Sequence, residues 1–77
     1  MSLKAYTVTC EKYYPNRVVH YAAHNAAEAT NLALAAIRRV GGNARTADIE
    51  CEHAPALDAV AAHGNRVGVL KEELMAV

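Results

Sequence analysis

KAYTVTCEKYYPNRVVHYAAHNAAEATNLALAAIRRVGG, residues 4–42, is the stretch that decides the architecture. From Lys4 to Lys12 the side chains alternate, with Tyr6, Val8 and Cys10 on one side and Ala5, Thr7, Thr9 and Glu11 on the other. That two-residue period belongs to a half-buried strand. Tyr13, Tyr14, Pro15, Asn16 and Arg17 follow. Proline cannot donate to a ladder and Pro-Asn is turn chemistry, so these residues are expected at a hairpin tip. Val18–Ala23, rich in β-branched and aromatic side chains, then returns as a second strand.

The pattern next changes to a helical period. Asn25 is a good N-cap, and Glu28 three places on completes a capping-box pattern. Ala26, Ala29, Leu32, Ala33, Ala36, Ile37 and Val40 fall on one face of a helix over 26–40, with Glu28, Asn31, Ala35, Arg38 and Arg39 opposite. Arg38 and Arg39 suit the negative end of the helix dipole, and Gly41 supplies a left-handed terminator. A third strand is expected over Thr46–His53, with Ala47, Ile49, Cys51 and His53 facing the helix and Asp48, Glu50 and Glu52 facing out. A short crossover places it beside the first strand, giving the order 2-1-3 with Tyr6, Val8 and Cys10 central. Beyond Pro55, residues 56–63 read as a short helix ended by Gly64 and residues 66–70 as a short strand; 71–77 read as one helical turn or a frayed end. The expected fold is therefore a single α+β domain over 1–77. A three- or four-stranded, mainly antiparallel sheet is built on a ββαβ core, with one main helix across one face.

Size limits what such a chain can do. A domain of 77 residues buries roughly 60% of the surface its unfolded chain exposes. Seventeen residues are alanine and none is Trp or Phe, so the core must be thin. Domains in this position often gain burial from a second subunit or a partner. Eight basic and eight acidic residues balance to zero with neutral histidine, which argues against a general nucleic-acid clamp and against an acidic DNA mimic. The two halves are unequal all the same. Residues 1–45 carry Lys4, Lys12, Arg17, Arg38, Arg39 and Arg45 against Glu11 and Glu28; residues 46–77 carry Arg66 and Lys71 against Asp48, Glu50, Glu52, Asp58, Glu72 and Glu73. Either folding interleaves these charges, or the molecule is a dipole suited to complementary docking. No apolar run is long enough to span a membrane and no leader is recognisable; with two cysteines far apart, a cytosolic protein with reduced thiols is expected.

No chemistry stands out. Cys10, His20, Cys51 and His53 are metal-ligand types, but their spacing lacks the close pairs of a structural zinc site, and no metal or cofactor is expected. Neither cysteine has a strained elbow or a glycine-rich oxyanion loop, and Gly41-Gly42 follows a helix instead of preceding one, so no catalytic residue is assigned. The candidate contact residues are Tyr13, Tyr14 and Arg17 at the tip and Arg38 and Arg39 on the helix, because Tyr and Arg concentrate binding energy. The competing reading of the tip is that one tyrosine folds back to lengthen the core.

In size, lack of catalytic motif and strand-strand-helix-strand layout from Lys4 to His53, the chain resembles small phage and prophage proteins that act against bacterial immunity. The nearest group is the anti-CRISPR proteins that act on multi-subunit type I effector complexes. The resemblance implies a phage-derived, non-catalytic inhibitor that occludes a protein surface of a larger complex in the host cytosol. It transfers no functional residue, since that group shares no motif. Two other readings stand beside it. One is a nucleic-acid-associated accessory protein that contacts phosphates through Arg17, Arg38, Arg39 and Arg45; the other is a homodimer paired through a sheet edge.

Overall fold

The computed structural model describes residues 3–74, with the side chains of 14–16 and 74 left undescribed. It is an α+β fold of six principal elements: β1 (Lys4–Cys10), β2 (Tyr14–Ala23), α1 (Ala26–Arg39), β3 (Glu50–His53), α2 (Asp58–Gly64) and β4 (Gly68–Leu74). The sheet is antiparallel with the order β3-β1-β2-β4, not the order 2-1-3 of a ββαβ core. β1 does lie between β2 and β3, with Tyr6 opposite Tyr21 and His53, and Val8 opposite Val19 and Cys51. What revises the order is β4, which adds to the outer side of β2. The expected strand at 66–70 thus starts later and runs further, through Lys71, Glu72 and Glu73. The portion of the expected terminal turn at 75–77 lies outside the described residues.

β2 and β3 both run antiparallel to β1, so α1 carries the chain across β1 between two parallel strands. Local chemistry sets both ends of α1. Asn25 Oδ1 accepts the Glu28 N–H at 2.8 Å, and the Glu28 carboxylate reaches back to the His24 N–H at 2.9 Å. At the other end Gly41 N–H donates to Arg38 O and Gly42 N–H to Ile37 O, with Gly41 at φ +83°. This crossed pair of bonds satisfies carbonyls that the helix leaves open, and the left-handed residue is glycine because it has no Cβ to strain. The buried stripe is Ala29, Ala33, Leu34 and Ile37. Ala26 and Val40, expected inward, are exposed, and Leu34 takes a core position instead.

The main core lies between α1 and the face of the sheet that carries Tyr6, Val8, Cys10, Val19, Tyr21 and Ala23. It is thin, as the composition requires: its largest fully buried side chains are Ile37, Val8, Val19 and Cys10. The other face is partly covered too. Leu3, Ala5, Ala22 and Ala61 form a second small cluster under α2, flanked by Leu57 and Leu70. A side-chain staple holds α2 there. Asp58 Oδ1 accepts the Ala5 N–H at 2.8 Å, and the Asp58 carboxylate pairs with His53 Nε2 at 2.8 Å.

Two expected segments differ for local reasons. The hairpin turn is Glu11–Tyr13, tighter than expected, and β2 already begins at Tyr14. Proline is accommodated because the β1–β2 register shifts between Val8 and Cys10, which frees that part of β2 from a regular ladder. Thr46–Asp48 is a 3₁₀ turn and not the start of a strand, since Asp48 Oδ2 accepts the Arg45 N–H at 2.9 Å. A short acidic side chain that bonds nearby backbone competes with the ladder. Among the described residues no helix is long and apolar enough to cross a membrane.

Candidate functional site

The candidate contact residues are distributed over one end of the molecule and its neighbouring groove. Tyr13 folds back: its hydroxyl accepts the Asn43 N–H at 2.6 Å and its ring packs on the main core. Lys12 Nζ sits 5.6 Å from the centre of that ring, at the distance of a cation–π contact. A methyl group at Gly42 would lie 2.9 Å from the Tyr13 ring and 2.3 Å from Ile37 Cγ2, so glycine is a steric requirement there. The hairpin turn and the C-terminus of α1 are thus bolted together. Arg38, Arg39 and Val40 stand exposed beside this joint, Val40 with 84% of its surface open to solvent. The Tyr14 side chain lies outside the described residues.

Arg17 goes elsewhere. It extends toward β4, where its guanidinium lies 3.8 Å from the Glu72 carboxylate. Residues from the basic and acidic halves are therefore interleaved at this point, as they are where His20 and Glu73 meet. Arg39 lines an open groove of about 300 Å³ together with Leu32 and Ala36 from α1, Tyr21 beneath, and Val67 and Val69 at the start of β4. The groove exists because α1 packs across β1, β2 and β3 and stops short of β4. Val67 and Val69 are left 42% and 59% exposed.

On the opposite face is a polar cluster that the sequence did not signal. His20, 8% exposed, has Nδ1 3.0 Å from Thr7 Oγ1 and Nε2 3.4 Å from Glu73 Oε2. Glu73 also meets Lys71 Nζ at 2.7 Å, and that ammonium, followed by His20, holds the carboxyl below the usual carboxylate range. Thr7 and Glu73 lie far apart in sequence, and only the β1–β2–β4 pairing brings them to one histidine. The order hydroxyl–imidazole–carboxylate is that of a nucleophilic triad, but Thr7 sits mid-strand in a ladder with β2 and β3 on either side. Its neighbouring backbone N–H groups are committed to that ladder, which provides no cradle for an oxyanion. The arrangement satisfies a buried imidazole.

The four residues considered as metal ligands are not assembled. Cys10 is buried beneath α1, and His20 lies on the other face of the sheet. Cys51 and His53 share a strand face, but Cys51 Sγ points to Ala26 O at 3.8 Å and His53 is engaged by Asp58, its ring tilted against that of Tyr6 with centroids 5.6 Å apart. Burial pushes the Cys51 thiol up, away from the thiolate that a metal or a nucleophilic reaction would use. No group of three or more His, Cys, Asp or Glu poised for an ion occurs among the described residues.

Comparison with known proteins finds no matching family model, no matching curated protein and no matching solved structure.

Proposed function

We propose that the chain is a small, non-catalytic protein-binding module whose contact surface is the joint between the hairpin turn and the C-terminus of α1. The observation that carries this reading is the Tyr13–Asn43 bond, which fixes an exposed apolar residue, Val40, beside the cations Arg38 and Arg39. A surface held in place before binding loses little entropy on association, and an apolar contact ringed by arginines suits a hot spot. Its complement is a protein surface with an apolar seat and acidic neighbours. Occlusion of such a surface on a larger host complex, in the host cytosol, is the mode implied by the resemblance to anti-CRISPR-type inhibitors. Tyr13 contributes by holding the joint, and Arg17, drawn to Glu72, is peripheral to it.

Capture from the native host with tagged protein, wild-type against Arg38→Glu/Arg39→Glu, tests the reading. Both side chains are exposed, circular dichroism checks that the fold survives the loss of two charges favoured by the helix dipole, and partner recovery is expected to fall at least about tenfold, the scale of a lost hot spot. Undiminished recovery would reject the surface. The nucleic-acid alternative is separated by salt: phosphate contacts weaken linearly in log salt concentration, whereas a contact centred on Val40 responds weakly.

A further inference from the structure

We infer that β4 is a self-association edge, which pairs antiparallel with β4 of a second copy about a two-fold axis at Glu72. This goes beyond the partner reading and uses neither Arg38 nor Val40.

Among the described residues the sheet ends on two outer strands, β3 and β4. In a symmetric antiparallel pair the axis runs normal to the sheet, and residues placed directly opposite one another share a face. Residues of one alternating set therefore meet only their own set. On β3, four residues long, the registers centred on Glu50, Cys51 and Glu52 set carboxylate against carboxylate, and one centred on His53, the last residue of the strand, would pair β3 with residues beyond it. Centring on Cys51 opposes Glu50 to Glu52, and centring on Glu50 or Glu52 opposes that residue to itself. Like charges directly opposite are unfavourable, and β3 carries no Lys or Arg to offset them, so β3 disfavours its own copy.

β4 behaves differently. Lys71 and Glu73 share a face, as their 2.7 Å ion pair shows, and Glu72 points to the other. Centring on Lys71 or on Glu73 opposes like charges. Centring on Glu72 sets Lys71 against Glu73 of the second copy, twice, and closes a ring of four alternating charges. The two Glu72 side chains are then like charges at the axis, offset by the two Lys71–Glu73 attractions and by an Arg17 guanidinium 3.8 Å from each. Among the described residues no helix covers the edge, since α1 stops short of this strand and α2 packs on the opposite face against β1 and β2. Val67 and Val69, exposed next to the edge, and a core with few large side chains provide the remaining incentive to associate. Among the registers centred on the charged residues Lys71, Glu72 and Glu73, the one at Glu72 alone sets opposite charges face to face.

Sedimentation equilibrium of the full chain over a concentration series tests the inference, with circular dichroism to confirm folding. Wild-type is expected to dimerise. Lys71→Glu and Glu73→Lys should each weaken the dimer roughly tenfold or more, because two cross-strand attractions become repulsions. The double exchange Lys71→Glu/Glu73→Lys should restore it. Register is read by oxidation of Glu72→Cys in a Cys51→Ser background, which should cross-link to itself, while Lys71→Cys should cross-link with Glu73→Cys and not with itself. A wild-type monomer throughout the series would overturn the inference. So would a dimer indifferent to Lys71→Glu, or one that Glu52→Lys disrupts instead.

Discussion

Replacing Gly42 by alanine tests the joint that organises the proposed contact surface. The added methyl would meet Ile37 Cγ2 at 2.3 Å, Ile37 O at 2.9 Å and the Tyr13 ring at 2.9 Å. None of the three can yield cheaply. Ile37 is fully buried and β-branched, so its rotamer is fixed by the helix. Its carbonyl accepts the Gly42 N–H that closes α1, and Tyr13 is held by Asn43. Forcing a methyl group into a packed site costs about 1–3 kcal/mol. For a domain of this size each kcal/mol shifts Tm by about 4–8 °C, so the midpoint should fall by roughly 4–24 °C. The chain has no Trp, so urea and thermal unfolding are followed by far-ultraviolet circular dichroism and tyrosine emission. The Asn43 amide resonance reports whether the Tyr13 bond persists. Gly64→Ala is the control: a methyl there meets nothing within 4 Å, and alanine in place of glycine in a helix gains about 0.5–1 kcal/mol. If Gly42→Ala were as stable as wild-type with the Asn43 resonance unmoved, the steric account of the joint would be refuted.

Three further outcomes are expected. Asn25→Ala removes the cap on the Glu28 N–H and should cost about 1 kcal/mol in urea unfolding, with Asn25→Ser largely neutral. Asp58 has its carboxyl held below the ordinary carboxylate range, first by the Ala5 N–H and then by His53. A depressed folded pKa contributes stability in full above the unfolded value and loses it as pH falls through that value to the folded one. Urea unfolding midpoints of wild-type and Asp58→Ala, measured across a pH series, should therefore differ most near neutrality and converge in strong acid. Cys10, buried, and Cys51, with its thiol pushed up by burial, should both resist alkylation at neutral pH until urea opens the fold, as intact mass would record.

The legible parts of this fold were those specified by neighbours in sequence. Asn25, Glu28 and the Gly41-Gly42 pair mark the limits of α1 because caps are local chemistry, and the alternation around Tyr6, Val8 and Cys10 locates the central strand for the same reason. The phase of the helix was harder to read. Alanine occupies positions all around α1, so a small rotation changes the apolar count little; packing into the main core decided it in favour of Leu34 over Ala26 and Val40. Lys71–Leu74 carries residues that favour helix, and only pairing with β2 makes it a strand. The Thr7–His20–Glu73 cluster depends on that same pairing. Of the candidate contact residues, Arg38 and Arg39 are exposed as their place on the helix implied, whereas Tyr13 follows the competing reading and covers the core.

The uneven footprint of α1 grades the molecule's resistance to opening. β1 is bonded along both sides and roofed by the helix, so its amide protons should exchange with solvent only when the whole chain unravels. In the monomer β4 hangs by a single ladder outside that roof and can peel away while the other three strands stay together. Each such excursion would also bare the outer edge of β2, and with it the imidazole of His20.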